Sequence, residues 1–303
     1  MDSRILVGTQ SGLWQLAGDA STSVETLHGR RVTALARDGG STWAILDGSA
    51  LWQDPDGAWT RRAAIDGQPA TCLAPTSSGL LVGTEQAHLL RLADGKLTRI
   101  ESFDTAEGRA TWHTPWGDPA DVRSIGIAAD GTIHVNVHVG GVVRSRDGGA
   151  TWAPTVDIEN DVHQVLAHPS RAEVVLVASA EGFGASRDGG DSWIFSTTGL
   201  HAHYLRAVAV ADDVVLISAS TGPHGRRSAL YRRALDGATR FERCTDGLPK
   251  WFDANIDTGC LAARGSLVVF GTGEGHVYRS VDAGGHWELA LKGLAPVTCI
   301  VTG

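Results

Sequence analysis

The chain has 303 residues, of which 42% are hydrophobic and 20% are charged, and it contains 38 glycines and ten tryptophans. This composition is typical of a folded protein with many tight turns and excludes a disordered or fibrous chain. The net charge of -8 and the isoelectric point near 5.8, without any cluster of lysine and arginine, argue against a nucleic-acid partner.

The N-terminal residues pass directly into an apolar strand, residues 5–9, with no basic region or small-residue cleavage site before it. No window of the sequence reaches the 18 or so consecutive apolar residues that a membrane-spanning helix needs. We therefore expect a cytoplasmic protein without membrane association. The four cysteines lack metal-ligand spacing, so we expect reduced thiols packed in apolar strands. They are Cys72, Cys244, Cys260 and Cys299.

One segment recurs along the whole chain: a short strand in which an apolar or aromatic residue is followed by a polar one. Its seven copies are residues 12–15, 50–53, 88–91, 141–144, 182–185, 229–232 and 276–279. Their mean spacing of about 44 residues is that of a four-stranded propeller blade and is too long for leucine-rich or ankyrin repeats. The sequence therefore predicts an all-β, seven-bladed β-propeller of four-stranded antiparallel blades, a single domain over residues 1–303.

A second series of apolar runs supplies the innermost strand of each blade. These runs are residues 32–36, 70–74, 122–128, 162–167, 205–210, 256–262 and 297–301. The last run has no blade after it, and the first blade has no innermost strand before it. We therefore expect the last run to join the N-terminal blade and close the ring, because closure removes exposed sheet edges.

Three turns share an eight-residue pattern that begins Ser-X-Asp and ends in tryptophan: residues 145–152, 186–193 and 280–287. The pattern resembles the Asp-box, or BNR repeat, of sialidases, sortilin-type receptors and photosystem assembly factors. The resemblance implies that these turns lie between the third and fourth strands of a blade, on the face opposite the active site. A similar-looking segment, residues 37–43, falls between the first and second strands and is predicted to be an ordinary hairpin turn.

The opposite face is formed by loops that enter the innermost strands and leave the second strands, and loops on a rigid scaffold commonly carry binding sites. Polar and aromatic residues collect there in the fourth to seventh blades. Arg226 and Arg227 lie in a loop with glycine and proline. The two alternatives for these side chains are that they bind a carboxylate or that they are simply solvated. The predicted substrate contacts are His113, Trp116, Arg123, Tyr204, Arg206, Arg226, Trp251, Asp253, Glu274 and His276.

The densest signal is the run of residues 132–139, in which strand alternation places His134, Asn136 and His138 on one face. In a propeller, both faces of an interior strand meet neighbouring blades. A polar stripe in that position is costly unless its side chains find partners.

His138 would end its strand close to His163 on the next innermost strand, and His203 lies one blade further on. We predict that these three histidines, with Glu181 or Asp161 as a carboxylate partner, form a catalytic site that binds one divalent first-row metal ion. The alternative is that the histidines form hydrogen bonds between blades without a metal.

The sequence leaves two classes of function open. The concentration of titratable groups in four blades favours an enzyme, a hydrolase or lyase acting on a small-molecule, polar or glycan-like substrate. The resemblance to assembly factors favours a non-catalytic propeller that binds a ligand or a protein. Classical sialidase activity is disfavoured because the chain lacks the Arg-Ile-Pro motif that the family resemblance would require. We expect a monomer.

Overall fold

The computed structural model describes residues 4–18, 20–114, 116–237 and 240–303, and its strands follow the apolar runs of the sequence. Within these residues, seven sheets each contain four antiparallel strands. The second strand of a sheet is almost wholly apolar, as in Gly79–Thr84 and Val175–Ser179, because both of its faces are buried. This is the predicted architecture, an all-β seven-bladed propeller. That residues 1–303 form a single domain stays a prediction.

The strands of the described residues are numbered in chain order. They are β1 (Ile5–Thr9), β2 (Gly12–Ala17), β3 (Ala20–Ser23), β4 (Val32–Asp38), β5 (Ser41–Leu46), β6 (Ala50–Asp54), β7 (Thr60–Ala64), β8 (Ala70–Thr76), β9 (Gly79–Thr84), β10 (Leu89–Ala93), β11 (Lys96–Arg99), β12 (Val122–Ile127), β13 (Ile133–Val137), β14 (Gly141–Ser145), β15 (Ala153–Val156), β16 (Val162–Ala167), β17 (Val175–Ser179), β18 (Gly182–Ser186), β19 (Ile194–Ser196), β20 (Tyr204–Ala211), β21 (Val214–Ser220), β22 (Ala229–Ala234), β23 (Glu242–Arg243), β24 (Leu261–Arg264), β25 (Leu267–Gly271), β26 (Val277–Ser280), β27 (Glu288–Leu291) and β28 (Val297–Thr302).

Helical structure in the described residues is limited to short turns. They are α1 (Glu101–Asp104) and the 3-10 turns Glu25–Leu27, Glu85–Ala87, Arg109–Thr111 and Ile158–Asn160. None of these helices has the length and apolar character needed to span a bilayer.

The chain forms two compact units, and the first comprises the chain up to Leu35 and from Thr197 to Gly303. It contains the sheets with strand orders β28-β1-β2-β3, β20-β21-β22-β23 and β24-β25-β26-β27. Phe270 and Trp287 are among the fully buried side chains of its core. The predicted innermost strand at residues 256–262 is wrong over most of its length. A turn in which the N–H of Cys260 donates to the carbonyl of Asp257 delays the strand to β24.

The predicted closure is confirmed within this first unit. Strand β28 pairs antiparallel with β1, with Ile5 opposite Thr302 and Val7 opposite Ile300. Close packing at this junction requires glycine at position 8, because a Cβ there would lie 2.5 Å from Sγ of Cys299. The C-terminal strand therefore completes the N-terminal blade and covers the edge of β1 that would otherwise be unpaired.

The second unit comprises residues 36–196. It contains the sheets β8 to β11, β12 to β15 and β16 to β19, and strands β5 to β7 of the sheet that begins with β4. Its core includes Phe103, Val135 and Trp152. The segment at residues 37–43 spans the hairpin between β4 and β5, as predicted. All four cysteines of the chain are unpaired and buried.

Three serine–aspartate turns, at residues 145–152, 186–193 and 280–287, have one geometry. In the first, the hydroxyl of Ser145 donates to Oδ1 of Asp147, and the Thr151 N–H and hydroxyl donate to the same carboxylate at 2.9 and 2.6 Å. These bonds, led by the Thr151 hydroxyl, hold the pKa of Asp147 well below its ordinary value. Trp152 then packs edge-on against Phe103. Each turn joins the third and fourth strands of its blade, where the sequence places it.

Candidate functional site

A β-bulge recurs near the start of the innermost strands. In the second unit, pairing of the first two strands skips Thr71 in β8, Arg123 in β12 and His163 in β16. A bulged residue leaves the ladder and redirects its side chain, which is one way a sheet aims a group into a site. Thr71 uses this position to donate its hydroxyl to the carbonyl of Val122 on the next innermost strand. The bulge is therefore a feature of the repeat, whereas the residue placed on it varies.

Two blades share a second pattern at the same place. The segments Asp121-Val122-Arg123 and Asp161-Val162-His163 both enter an innermost strand through Asp-Val. The carbonyl of Asp121 accepts the N–H of His138, and the carbonyl of Asp161 accepts the N–H of Ala180. His138 thus occupies the position that Ala180 holds in the following blade. The fold itself requires no imidazole there.

His138, Asp161 and His163 meet at this edge of the second unit. Nε2 of His138 lies 3.4 Å from Oδ1 of Asp161, and Nε2 of His163 lies 3.6 Å from the other oxygen, Oδ2. One ligand atom from each of the three residues lies within 4.8 Å of the others. His163 is fully buried and His138 is nearly so. We call these three residues the His–Asp–His cluster.

The local backbone fixes the carboxylate of this cluster. Asp157 caps the 3-10 turn Ile158–Asn160 by accepting the N–H of Glu159 at 2.9 Å. Asp161 follows this turn with φ 42° and ψ 68°, in the left-handed region that non-glycine residues seldom adopt. Such strain is commonly retained where a side chain must be aimed at a functional site.

Electrostatics keep Asp161 ionised. Burial by itself would raise the pKa of this carboxyl group, but the nearby imidazoles of His163 and His138 and the charge of Arg123 hold the pKa below its ordinary value. The neighbouring Asp121 behaves differently, because burial raises its pKa against the hydrogen bond from Gln86 and the charge of Arg123. Asp121 is not among the predicted substrate contacts, although its Asp-Val segment matches that of Asp161.

The cluster brings together side chains of the types that metal sites use. Donor atoms bound to one ion at about 2.0–2.1 Å are separated by roughly 3.0–3.4 Å in octahedral or tetrahedral geometry. The separations of 3.4 and 3.6 Å, which run to different oxygens of Asp161, lie at and slightly above the upper end of this range and are longer than strong hydrogen bonds. Two imidazoles and one carboxylate suit zinc and other divalent first-row ions. Three protein ligands also leave a coordination position for water or substrate.

Of the predicted polar stripe His134, Asn136 and His138, only His138 belongs to this cluster. Asn136 is fully buried and donates from Nδ2 to the carbonyl of Val162 at 2.7 Å, so it is bonded as the stripe requires. His134 is also fully buried, but neither ring nitrogen has a hydrogen bond among the described residues. Burial, together with the charge of Arg144, lowers the pKa of His134 to about 4. His134 is therefore a neutral core residue at neutral pH.

Other predicted residues of the second unit lie at varying distance from the cluster. The ring of Trp116 is 5.6 Å from that of His138, in an edge-on arrangement. His113 is exposed, and its Nδ1 contacts the carbonyl of Thr111. Glu181 is not a member of the cluster, whose carboxylate is Asp161. The catalytic role of Glu181 stays a prediction.

The remaining predicted residues belong to the first unit, where the structure brings some of them together. Arg206 donates to Asp257 at 2.8 Å and to the hydroxyl of Tyr204 at 3.1 Å. Arg206 and Asp257 line a pocket of about 240 Å³ together with His224 and Asn255. His203 also belongs to this unit. Its participation in metal binding stays a prediction.

A second group of the first unit contains Trp251. Its ring lies 4.6 Å from that of His201, and the guanidinium of Arg243 stacks on it at 3.9 Å. His201 in turn contacts the hydroxyl of Tyr231 at 2.7 Å.

The loop that carries Arg226 is backbone-strained, with φ 76° at Arg226 and 50° at Arg227, and the N–H of Arg226 donates to the carbonyl of Asp253. Burial and, to a smaller extent, the charge of Glu274 raise the pKa of Tyr278. The ring of His276 lies 6.5 Å from the ring of Tyr278.

Comparison with known proteins identifies the fold. No protein-family model and no curated protein sequence matches the chain. Among solved structures, YCF48 from Cyanidioschyzon merolae matches with a TM-score of 0.64 and 15% identity, over 88% of this chain and 87% of YCF48. A structure of YCF48 bound to D1 peptide matches with a TM-score of 0.63 and 13% identity, over 89% and 85% of the two chains.

Two further structures come from different functional classes. An ancestral GH74 enzyme matches with a TM-score of 0.62 and 14% identity, over 99% of this chain but only 40% of the enzyme. U3-55K matches with a TM-score of 0.61 and 16% identity, over 97% of this chain and 85% of its own. Likeness at this level of identity is evidence of a shared propeller fold alone, and propellers carry both binding and enzymatic functions.

Proposed function

We propose that His138, Asp161 and His163 bind one divalent first-row metal ion, and that the protein is a metal-assisted hydrolase or lyase acting on a small polar or carbohydrate-like substrate. The observation that carries the proposal is the convergence of two imidazole nitrogens and one carboxylate, each within 4.8 Å of the others. Two adjacent blades contribute to the cluster, which lies where loop-borne sites of propellers are commonly built.

Equivalent positions in other blades show which residues the fold accepts at the positions of His138 and His163. Ala180 holds the position of His138 in the next blade, and Thr71 and Arg123 hold the bulge position of His163. Because other blades have alanine or threonine at these positions, blade packing does not need a histidine there. Two histidines placed beside one aspartate are therefore best explained by a ligand.

The residues present supply what metal-assisted hydrolysis or elimination needs. When bound, the ion would polarise a substrate oxygen or lower the pKa of a bound water toward 7. Asp161 contributes a carboxylate oxygen, and His138 and His163 contribute imidazole nitrogens. Arg123, whose charge already acts on Asp161, would stabilise negative charge that develops on the substrate.

Metal analysis of matched variants tests this proposal. His138→Ala and His163→Thr copy residues that the chain itself uses at the equivalent positions, so both variants are expected to fold. After incubation with Zn²⁺, Mn²⁺ or Fe²⁺ and dialysis, the wild type should retain about one equivalent of ion and each variant much less. His28→Ala, which removes an exposed histidine of the first unit, is the control. A wild type that retains none of the three ions would contradict the proposal and favour histidines that only form hydrogen bonds between blades.

A second candidate function is peptide or protein binding without catalysis. It is favoured by the likeness to YCF48, one structure of which holds a D1 peptide. The two candidate functions predict different effects of His138→Ala. A propeller that only binds a peptide or protein would keep its affinity for that partner. Loss of metal together with loss of turnover supports the enzyme.

The three serine–aspartate turns are proposed to be Asp-boxes. The support is their shared hydrogen-bond pattern, in which one aspartate accepts from the preceding serine and from the residue before the tryptophan. In the blade of His138, the turn begins at Ser145, at the far end of β14 from Gly141 and the cluster. In this blade, the turn thus lies at the end of the sheet opposite the cluster.

A further inference from the structure

Trp116 is the one large aromatic side chain among the strongly exposed hydrophobic residues of the described chain. Its side chain is 69% exposed, although its ring lies 5.6 Å from His138. A single exposed apolar residue is ordinary on a protein surface. The informative feature is the position of this indole at the edge of the His–Asp–His cluster.

Hydrogen bonds connect Thr114 with Gly117 and Asp118, the two residues that follow Trp116. The N–H and hydroxyl of Thr114 both donate to the carbonyl of Asp118, and the N–H of Asp118 donates back to the Thr114 hydroxyl at 2.9 Å. The N–H of Gly117 closes the turn on the carbonyl of Thr114. Thr114 is buried. These bonds restrain the backbone that follows Trp116, and such restraint lowers the entropy cost of a contact.

The base of the same loop is anchored in the core of the second unit. Trp112 packs at 5.5 Å from Phe103, a fully buried ring. The guanidinium of Arg109 stacks on Trp112 at 5.2 Å and donates to the carbonyl of Ala87. The N–H of His113 reaches the carbonyl of Val139, the residue after His138. The loop is thus fixed to the turn that carries a cluster residue.

We propose that Trp116 is an aromatic subsite that stacks on a pyranose ring and holds a glycan against the His–Asp–His cluster. This inference rests on the proposed function and specifies its substrate class. A pyranose has a flat C–H face, which packs on an aromatic ring, and a rim of hydroxyl groups, which need polar partners. Trp116 offers the first kind of contact and the cluster offers the second.

The polar groups beside the cluster match a hydroxyl-bearing ligand better than an apolar one. Asp121 holds His138 through its backbone carbonyl and has a carboxyl group whose second oxygen is not used by Gln86. Arg123 acts on both Asp121 and Asp161. Sugar hydroxyls both donate and accept, so they pair with carboxylate and guanidinium together. A purely aromatic ligand would stack on Trp116 without using these polar groups.

Binding of defined oligosaccharides tests the subsite. The probes are the tetrasaccharides of glucose, N-acetylglucosamine, xylose and galacturonic acid, titrated calorimetrically into the full chain with its ion. The variants are W116A, W116F and the control I194A, which truncates another strongly exposed apolar side chain of the same unit. Metal content is measured on every sample.

We expect at least one tetrasaccharide to bind. W116A should weaken its binding about tenfold or more, W116F should stay within about threefold because it keeps a ring, and I194A should bind as the wild type does. Binding of none of the probes to metal-loaded wild type, or equal affinity of W116A, would overturn the subsite and leave the metal site standing. Sugar binding that depends on Trp116 in a protein that takes up no ion would support the subsite and overturn the metal-assisted function.

Discussion

Nε2 of His138 lies 3.4 Å from Oδ1 of Asp161, and the two residues come from adjacent blades. His138 follows the second strand of one sheet, β13, and Asp161 precedes the innermost strand of the next, β16. The pair therefore connects a loop that leaves one blade with a loop that enters another. Ligand binding at this pair would cross-link the two blades as well as form a site.

Replacing Asp161 by asparagine should weaken metal binding without changing the fold. The change keeps the size of the side chain and the backbone bond from Ala180, but it removes the anionic ligand. We expect the dissociation constant for Zn²⁺ to rise about 100-fold or more, measured by competition with a chelating dye. Glu159→Gln, which removes an equal charge from an exposed neighbour, should leave it unchanged. Equal losses in both variants would mean that only the net charge of the loop matters.

His134 should make the protein acid-sensitive in a defined pH range. Its folded pKa of about 4 lies below the ordinary value of 6.5, because it is buried beside Arg144 and Arg146 with only Asp130 to favour the charged ring. As pH falls below 6.5, the unfolded chain binds a proton at this histidine before the folded chain does. The contribution of His134 to stability is therefore lost between about pH 6.5 and pH 4 and does not change further below pH 4.

The leucine variant of this residue isolates the effect. In His134→Leu, the fall in the free energy of unfolding between pH 7 and pH 4 should be smaller than in the wild type by about 3 kcal/mol. Urea unfolding at several pH values measures this difference. His28→Leu should keep the wild-type slope. Parallel curves for the wild type and His134→Leu would mean that His134 titrates normally in the folded state.

The serine–aspartate turns should affect stability and not ligand binding. Asp147→Ala removes the acceptor of four turn hydrogen bonds, from Ser145, Ala150 and the Thr151 N–H and hydroxyl. We expect the melting temperature to fall by roughly 2–4 °C with unchanged metal content. Asp56→Ala, at an exposed turn position, should melt as the wild type does. A stable Asp147→Ala protein that has lost its ligand would place the functional site on this face.

Ring closure should be the most sensitive point of the N-terminal blade. Ile300 is 4% exposed and lies opposite Val7 in the β28–β1 pair. Ile300→Ala should lower the free energy of unfolding by about 2–5 kcal/mol, as large-to-small core changes do. Val281→Ala, at a residue that is 68% exposed, is the matched control and should change it little. Identical denaturation curves for the two variants would contradict a closure that depends on β28.

The fold was predictable from sequence because the repeat is carried by apolar strands at a regular spacing. The exception is the segment of residues 256–262, which has apolar residues at both ends but polar residues and glycine between them. The bond from the Cys260 N–H to the carbonyl of Asp257 turns the chain there before β24 begins. Periodicity records which residues are apolar and does not record where a turn interrupts them.

The site was predictable only in part, for geometric reasons. Alternation placed His134 and His138 on one face, but four residues of strand separate them by roughly 13 Å, so only one can join the cluster. The bulge at His163 redirects its side chain, and a bulge has no clear signal in a single sequence. Asp161, and not Glu181, is the carboxylate of the cluster, and its backbone has a left-handed conformation that the sequence does not indicate. The paired segments Asp121-Val122 and Asp161-Val162 were the available clue.

X-ray absorption spectroscopy of the zinc-loaded protein tests the central claim most directly, because it reports the atoms bound to the ion. We expect two imidazole nitrogens and one carboxylate oxygen at about 2.0–2.1 Å in the wild type, and one imidazole fewer around the zinc that remains in His138→Ala or in His163→Thr at high zinc concentration. A spectrum without imidazole scattering, or one that neither variant changes, would contradict metal binding by His138, Asp161 and His163.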